Sequence, residues 1–191
     1  MLITITGASG SGKSFIANYL TTLNKNIVHL NIDLVGHEVI ETEEIKRKIV
    51  EYFNLELNDN KIDRKALGEI VFNNQDKMQE LSNLTWQYME QKIDEFIKSN
   101  QNKIIILDWI LIPKTKYFDN SDINILVKAD LEERTKRAIL RDSITASKFE
   151  EREKATLDFD EEKFDYVIEN KKQEKTKVMV KKIYDKSIIS G

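Results

Sequence analysis

The residues with the clearest chemistry form the octet GASGSGKS at positions 7–14. This segment has the spacing G-x-x-x-x-G-K-S and contains half of the protein's six glycines. Glycines let successive backbone N–H groups curl around an anion, and the positive end of a following helix strengthens the attraction. The segment therefore predicts a phosphate-binding loop for a nucleoside triphosphate, with a glycine-rich helix cap as the alternative. The nucleotide-binding residues would be Gly7, Ala8, Ser9, Gly10, Ser11, Gly12, Lys13, Ser14 and Phe15.

Two residues of this loop and two aspartates have separate expected roles in phosphoryl transfer. Lys13 would reach the β- and γ-phosphates, and the Ser14 hydroxyl would bind Mg²⁺. Asp108 lies near the end of the apolar run KIIILDW and would also help to hold Mg²⁺. Asp33 follows the apolar segment 27–32 and would accept the proton of an acceptor hydroxyl as the γ-phosphoryl group leaves. Either aspartate could instead cap a turn or helix.

Three arginines lie at spacings of three and four residues, which places Arg134, Arg137 and Arg141 on one face of a helix. Such a face could neutralise the charge of a transferring phosphoryl group. The alternative is a solvated face of ion pairs, because Asp130 precedes Arg134 by four residues. Glu133 has the same relation to Arg137. Arg141 has no acidic residue at that position, and we therefore expect it to be the arginine most available to a ligand.

The elements that must position these residues alternate between strand and helix. Hydrophobic periodicity predicts strands at 2–6, 27–32, 103–109, 123–127 and 165–168, and helices at 13–23, 43–53, 63–72, 75–99, 132–141 and 175–186. This order predicts an α/β fold, a doubly wound parallel five-stranded sheet with right-handed crossovers. We expect residues 1–191 to form one domain, with a core at 1–40 and 100–191, a helical insertion at 41–99 between the second and third strands, and a helical lid at 137–160.

The overall composition sets limits on the class of protein. A chain of 191 residues with 40% hydrophobic and 33% charged residues is typical of one soluble globular domain. A net charge of −3 does not favour a nucleic-acid or membrane surface. The lack of cysteine excludes disulfides and fits a cytoplasmic protein. The first predicted strand starts at once and no apolar run could cross a bilayer, so we expect neither a signal peptide nor a membrane span.

The histidines and the aromatic residues of the long helix are weaker signals. His29 is expected to pack within the second strand. His37 follows Asp33 by one helical turn and could orient it, although a lone histidine is more often structural. Trp86 and Tyr88 are expected to pack in the core, with a substrate-binding wall as the alternative.

Taken in order, the motifs resemble those of the dephospho-CoA kinase family. The similarity runs through most of residues 1–170 and includes, after the phosphate loop, the segments NIDLVGHEVI, KIDRKALGEIVFNN, IIILDW, RAILRDSIT and FDYVIEN. This resemblance implies a fold of the P-loop kinase type and the use of ATP and Mg²⁺. It also implies that the small-molecule substrate is dephospho-CoA, phosphorylated on its ribose 3′-hydroxyl. We expect a monomer or a small homo-oligomer.

The resemblance also implies roles for single residues. Asp33 and His37 match an aspartate that the family follows, four residues later, with histidine or arginine, on the acceptor side. Arg64 belongs to the matched DR-x-x-L-G-x-x-V-F segment, the most specific stretch, and would bind substrate. The family's two lid arginines are matched by Arg137 and Arg141, which would be catalytic together with Lys13 and Asp33. The strand ending VI-x-N would place Asn170 close to the adenine.

The sequence departs from the family at the acceptor and lid regions. The family's His-Pro pair in the long helix is replaced by Trp86 and Gln87. After the third strand, Ile110 stands where proline is usual and Lys114 where glutamate is usual. The glutamine expected in the second lid helix is Thr156 here.

Two other functions are consistent with a phosphate loop. One is another small-molecule kinase of this architecture that acts on a nucleoside or nucleotide, against which the segment KIDRKALGEIVF argues. The other is a nucleotide-dependent switch that binds partner proteins. A guanine-specific switch carries an Asn-Lys-x-Asp motif, and the nearest segment, NKKQ at 170–173, lacks the carboxylate.

Overall fold

The structure is a computed structural model, and it describes residues 1–72, 74–154 and 157–189. Its strands are, in chain order, β1 (Leu2–Thr6), β2 (Ile27–Asn31), β3 (Leu57–Asn58), β4 (Lys61–Ile62), β5 (Ile104–Asp108), β6 (Ile123–Lys128) and β7 (Tyr166–Glu169). Its α-helices are α1 (Lys13–Leu23), α2 (Ile32–Ile40), α3 (Glu43–Phe53), α4 (Arg64–Val71), α5 (Gln75–Ser99), α6 (Lys116–Asp119), α7 (Leu131–Asp142), α8 (Ala146–Lys154) and α9 (Gln173–Ile183). The lid position Thr156 lies outside the described residues.

The chain divides into two compact units, one made of Met1–Asn31 with the residues from Asn100 onward, and the other of Ile32–Ser99. The first unit contains a five-stranded sheet in the order β2-β5-β1-β6-β7, and all neighbouring strands are parallel. The predicted five-stranded parallel α/β sheet is therefore confirmed. Its central strand is β1, and the phosphate-loop segment follows directly from that strand.

Buried aliphatic side chains hold the sheet of the first unit against its helices. Ile3 and Ile5 of β1 are completely buried, as are Ile16 and Leu20 of α1. They belong to one apolar cluster that also includes Ile168 and residues of α9. Burying this apolar surface fixes the ends of β1 and α1, between which the loop lies.

The second unit consists of α2, α3, α4, α5 and a short hairpin of β3 and β4. The segment is mainly helical, as expected, and the hairpin is an addition that was not predicted. Asp59 and Asn60 form its turn with φ of 49° and 61°, a conformation that aspartate and asparagine tolerate well. The second strand ends at Asn31, one residue earlier than predicted, and Asp33 lies within the first turn of α2.

One helix of the first unit, α6, lies where no helix was predicted, whereas α8 lies within the predicted helical lid. Two short 3₁₀ turns also occur, at Ile112–Lys114 and Glu161–Lys163, and α9 continues into a π-helical turn at Tyr184–Ile188. In the part of the chain that the structure describes, every helix is too short or too polar to cross a membrane.

Candidate active site

The segment 7–14 forms a tight loop whose glycines have conformations that other residues rarely adopt. The φ angles of Gly7, Gly10 and Gly12 are 143°, 77° and 100°. The space around them is also filled. A Cβ atom on Gly10 would lie 2.4 Å from the carbonyl oxygen of Arg134, and one on Gly12 would lie 2.1 Å from Nδ2 of Asn170. The glycines are therefore required here by both backbone angle and close packing.

Lys13 begins α1, and its ammonium group folds back over the loop. Its Nζ atom donates to the carbonyl oxygens of Gly7 at 3.0 Å and Ala8 at 3.5 Å. The first turn of α1 presents backbone N–H groups and the positive end of the helix dipole. The loop thus combines a cation with a helix N-terminus, which is an arrangement that binds phosphate groups.

Two oxygen-bearing side chains meet at the carboxyl end of β5. The Ser14 hydroxyl donates to Oδ2 of Asp108 at 2.6 Å, and Asp108 is only 1% exposed. Nδ2 of Asn31 lies 3.4 Å from Oγ of Ser14 and 3.5 Å from the same carboxylate oxygen. Hydroxyl and carboxylate oxygens are ligands that suit Mg²⁺, so this pair fits the expected metal.

A metal ion at this pair would need further ligands from phosphates or water. Among the described residues there is no group of three or more histidine, cysteine, aspartate or glutamate side chains that could hold a metal ion. Mg²⁺ ordinarily keeps several waters and binds one or two carboxylates together with substrate phosphates.

His29 lies within β2, as expected, and it also has polar neighbours there. Its Nε2 atom lies 3.4 Å from Oδ2 of Asp108 but makes no hydrogen bond with the described residues. Its Nδ1 atom lies 3.3 Å from Oδ1 of Asn18. This arrangement depends on β2 lying next to β5, where Asn31 and Asp108 are in register. The sequence did not reveal that neighbour relation, so the approach of Asn31 and His29 to Asp108 was missed.

Asn170 is 3% exposed and is hydrogen-bonded to the phosphate loop. Its Nδ2 donates to the carbonyl oxygen of Ser11 at 2.8 Å, and its Oδ1 accepts from the hydroxyl of Thr176 at 3.0 Å. Its backbone carbonyl accepts from Arg137 at 3.2 Å. The two side-chain atoms that could contact a nucleobase are thus engaged with the protein.

All three arginines of α7, which were predicted to share one helix face, reach the loop. Arg134 donates to the carbonyl oxygen of Ser9 at 3.5 Å. Arg137 donates to those of Gly10 and Ser11, each at 3.4 Å. One nitrogen of Arg141 lies 3.4 Å from Oγ of Ser9.

The ion-pair partners of these arginines differ from those predicted in two of three cases. Arg137 does approach Glu133, at 3.6 Å. Arg141 has no acidic residue four positions earlier, but it is paired with its neighbour Asp142 at 2.7 Å, a pair that was not predicted. Arg134 is paired with Glu153 of α8 rather than with Asp130, and it is buried rather than on a solvated face.

The second unit contains the predicted acceptor-side residues on α2 and α4. His37 and Arg64 line a groove of about 500 Å³, together with Leu34, Glu38, Glu41 and Thr42. Burial lowers the pKa of His37, the Arg64 guanidinium lowers that pKa further, and the Asp33 carboxylate raises it. His37 is thus electrostatically coupled both to Arg64 and to Asp33.

Asp63 precedes Arg64 and caps α4. Its carboxylate accepts from the backbone N–H groups of Lys65 at 2.9 Å and Ala66 at 3.1 Å. This cap fixes where the helix begins and therefore where Arg64 lies. On α5, Trp86 is partly buried and Gln87 is exposed.

Comparison with known proteins gives a consistent result. The sequence model of the dephospho-CoA kinase family matches residues 1–176. The dephospho-CoA kinase of Fusobacterium nucleatum is 31% identical over 175 residues, which covers 89% of this chain and 89% of the relative. Among solved structures, the dephospho-CoA kinase from Campylobacter jejuni has a TM-score of 0.61 and 26% identity, and covers 96% of this chain and 95% of that one.

A second solved structure is similar in fold. TT1252 from Thermus thermophilus has a TM-score of 0.81 at 22% identity, covering 98% of this chain and 97% of that chain. At this identity the similarity describes the fold alone. The family match over most of the chain and the relative of 31% identity carry the assignment. The chain belongs to the dephospho-CoA kinase family.

Proposed function

We propose that this protein transfers the γ-phosphoryl group of ATP to the ribose 3′-hydroxyl of dephospho-CoA, giving coenzyme A and ADP. The observation that carries the proposal is the phosphate loop, with Lys13 over it and Ser14 bonded to Asp108, in a chain that matches this kinase family over residues 1–176. The bond from the γ-phosphorus to the bridging oxygen breaks, and a bond to the 3′-oxygen forms.

The loop and Lys13 bind the triphosphate. The Lys13 ammonium rests on the carbonyl oxygens of Gly7 and Ala8 and can turn to the β- and γ-phosphates when these are present. Because it remains close to the γ-phosphoryl group during transfer, it stabilises the charge of the transition state. The loop N–H groups and the N-terminus of α1 bind the remaining phosphate oxygens.

Ser14 and Asp108 are the residues that hold Mg²⁺ in this proposal. Their oxygens are 2.6 Å apart, and burial of Asp108 keeps the carboxylate in place. Mg²⁺ neutralises phosphate charge and orients the phosphates. Asn31 and His29 surround the carboxylate and restrict its rotation.

Asp33 is the proposed base for the acceptor. It lies in the first turn of α2, where the positive end of the helix dipole favours a carboxylate. It would accept the proton of the 3′-hydroxyl as the new oxygen–phosphorus bond forms. His37 and Arg64 would bind the acceptor in the groove between α2 and α4.

Arg137 and Arg141 on α7 are the proposed lid cations. Both contact the loop, so closure of residues 137–160 over the nucleotide would bring them to the phosphoryl group and exclude water. We include in the proposal one kinase domain over residues 1–191, a cytoplasmic location, and a monomer or small homo-oligomer.

The test is an acceptor panel with purified protein, ATP and Mg²⁺. We expect ADP release with dephospho-CoA to exceed release with any nucleoside or nucleotide by at least about a hundredfold, since a site built for one acceptor rejects others strongly. K13A serves as the negative control, and its activity should fall to near background. A higher rate with a nucleoside would show that dephospho-CoA is not the acceptor. Normal activity in K13A would overturn the whole proposed nucleotide site.

A further inference from the structure

One buried ion pair in the first unit is not part of the proposed chemistry. Arg134 of α7 is 9% exposed, and its guanidinium forms a fork with Glu153 of α8. Nη1 donates to Oε2 at 2.7 Å and Nη2 donates to Oε1 at 2.5 Å. Such paired bonds fix the plane of the guanidinium as well as its position.

The same guanidinium also contacts the phosphate loop. Its Nη1 donates to the carbonyl oxygen of Ser9 at 3.5 Å, and its Nε donates to that of Ala129 at 3.2 Å. The backbone of Arg134 packs directly against Gly10, since a Cβ there would lie 2.4 Å from the Arg134 carbonyl oxygen. One side chain therefore joins the loop, the end of β6 and α8.

The direction of the Ser9 carbonyl has a consequence for the loop. In a trans peptide the carbonyl of one residue and the N–H of the next point in opposite directions, and the protein contains no cis peptide among its described residues. A Ser9 carbonyl held toward Arg134 therefore turns the N–H of Gly10 away from Arg134. That N–H is one of the loop groups available to a phosphate.

Glu153 is needed to keep Arg134 in this position. A guanidinium remains charged at any physiological pH, and a buried charge is stable only when it is paired. Without the carboxylate, the cation would move toward solvent, and its bond to Ser9 would be lost with it. The peptide between Ser9 and Gly10 could then rotate.

We propose that Arg134 and Glu153 are positioning residues that fix the peptide between Ser9 and Gly10 for phosphate binding. They act through the loop rather than on the reacting atoms. This inference rests on the proposed nucleotide site. It predicts a loss of affinity for phosphate groups with little change in the KM for the acceptor.

The experiment compares E153Q with wild type by calorimetry, using Mg-ATP and Mg-tripolyphosphate as ligands. We expect both dissociation constants to rise about tenfold, which corresponds to about 1.4 kcal/mol. At saturating ATP, kcat should stay within about threefold and KM for dephospho-CoA within about twofold, as for an interaction made equally in ground and transition states. R134K keeps the charge but not the fork, and should give an intermediate loss.

The matched control is E132Q, which removes the same kind of charge from the exposed Glu132–Lys136 pair on α7, at 2.6 Å. Its dissociation constants should equal those of wild type, because exposed pairs contribute little. R134Q combined with E153Q should be no worse than R134Q alone, because both changes break one interaction.

Three results would overturn the inference. The first is an E153Q protein with unchanged affinity for both ligands, including the case in which its melting temperature is lower. The second is a loss of affinity in the double variant R134Q/E153Q that equals the sum of the two single losses. The third is an equal loss in E132Q. If the wild-type protein bound neither ATP nor tripolyphosphate, the proposed function itself would fail, which is a distinct outcome from equal binding by wild type and E153Q.

Discussion

Replacing Asn170 by alanine tests whether this side chain holds the phosphate loop or contacts the nucleobase. The family resemblance places this residue near adenine, whereas its amide here donates to the Ser11 carbonyl at 2.8 Å and accepts from Thr176 at 3.0 Å. Both bonds are buried. We therefore expect N170A to act mainly on the loop.

The size of the effect follows from the two groups that each lose one hydrogen-bond partner. The buried Ser11 carbonyl would lose its shorter bond and keep only the one from Arg137 at 3.4 Å, at a cost of about 1–2 kcal/mol. Thr176 would lose less, because its hydroxyl also donates to the Lys172 carbonyl at 3.1 Å. We expect the free energy of unfolding to fall by about 2–3 kcal/mol, and the melting temperature by about 4–12 °C for a chain of this size.

The assay measures the affinity for two ligands, one with the nucleoside and one without it. If about half of the cost appears as displacement of the loop, the affinity for phosphate falls about tenfold. Mg-ATP and Mg-tripolyphosphate should then lose the same factor in calorimetry. T176V is the control, since it keeps the bond from Asn170 to Ser11, and its affinities should stay within about threefold of wild type.

A loss of ATP affinity with normal tripolyphosphate affinity would refute this reasoning, because it would assign Asn170 to the nucleobase. Unchanged affinity for both ligands would show that the bond to Ser11 does not hold the loop in its binding conformation.

Three further predictions concern the carboxylates, the lid and the acceptor groove. D108N should raise the Mg²⁺ concentration needed for activity. D33N should lower kcat by about 10²–10⁴ and leave the affinity for ATP unchanged. If added Mg²⁺ rescued D33N but not D108N, the roles of the two aspartates would be exchanged. R141A should lower kcat by about 10³-fold, as for other arginines that stabilise a transferring phosphoryl group, and a change under about threefold would remove Arg141 from the proposed lid. In an NMR titration, R64Q should raise the pKa of His37, because the guanidinium lowers it, and D33N should lower that pKa, because the carboxylate raises it. Shifts in the opposite directions would contradict the electrostatic coupling of His37 to these two residues.

Local patterns were sufficient to predict the elements that carry the phosphate loop. The bounds predicted for β1 and α1 agree with the structure, as do those of α3 and α5. In each case apolar residues repeat with the period of the element over several turns or along a whole strand. The two-residue strands β3 and β4 are too short to show any period, so the hairpin was not predicted.

Tertiary contacts of the site could not be read from local spacing. The partner of Arg134 lies nineteen residues away on α8, whereas sequence reasoning considered only pairs within one helix. Similarly, the approach of His29 to Asp108 requires β2 and β5 to be adjacent, although 72 residues separate them along the chain. Such contacts follow from strand order and helix packing, which hydrophobic periodicity does not specify.

The central position of β1 determines when the protein can fold during its synthesis. Leu2 pairs with Ile105, and Ile3 pairs with Ile123, so both neighbours of this strand are made about a hundred residues later. At about 5–20 residues per second, the apolar strand waits about 5–20 s on the ribosome before either edge can be paired. During that interval its unpaired edges are open to other chains. The phosphate-loop segment is therefore translated long before β5 and β6, and it takes its final shape only after they are made.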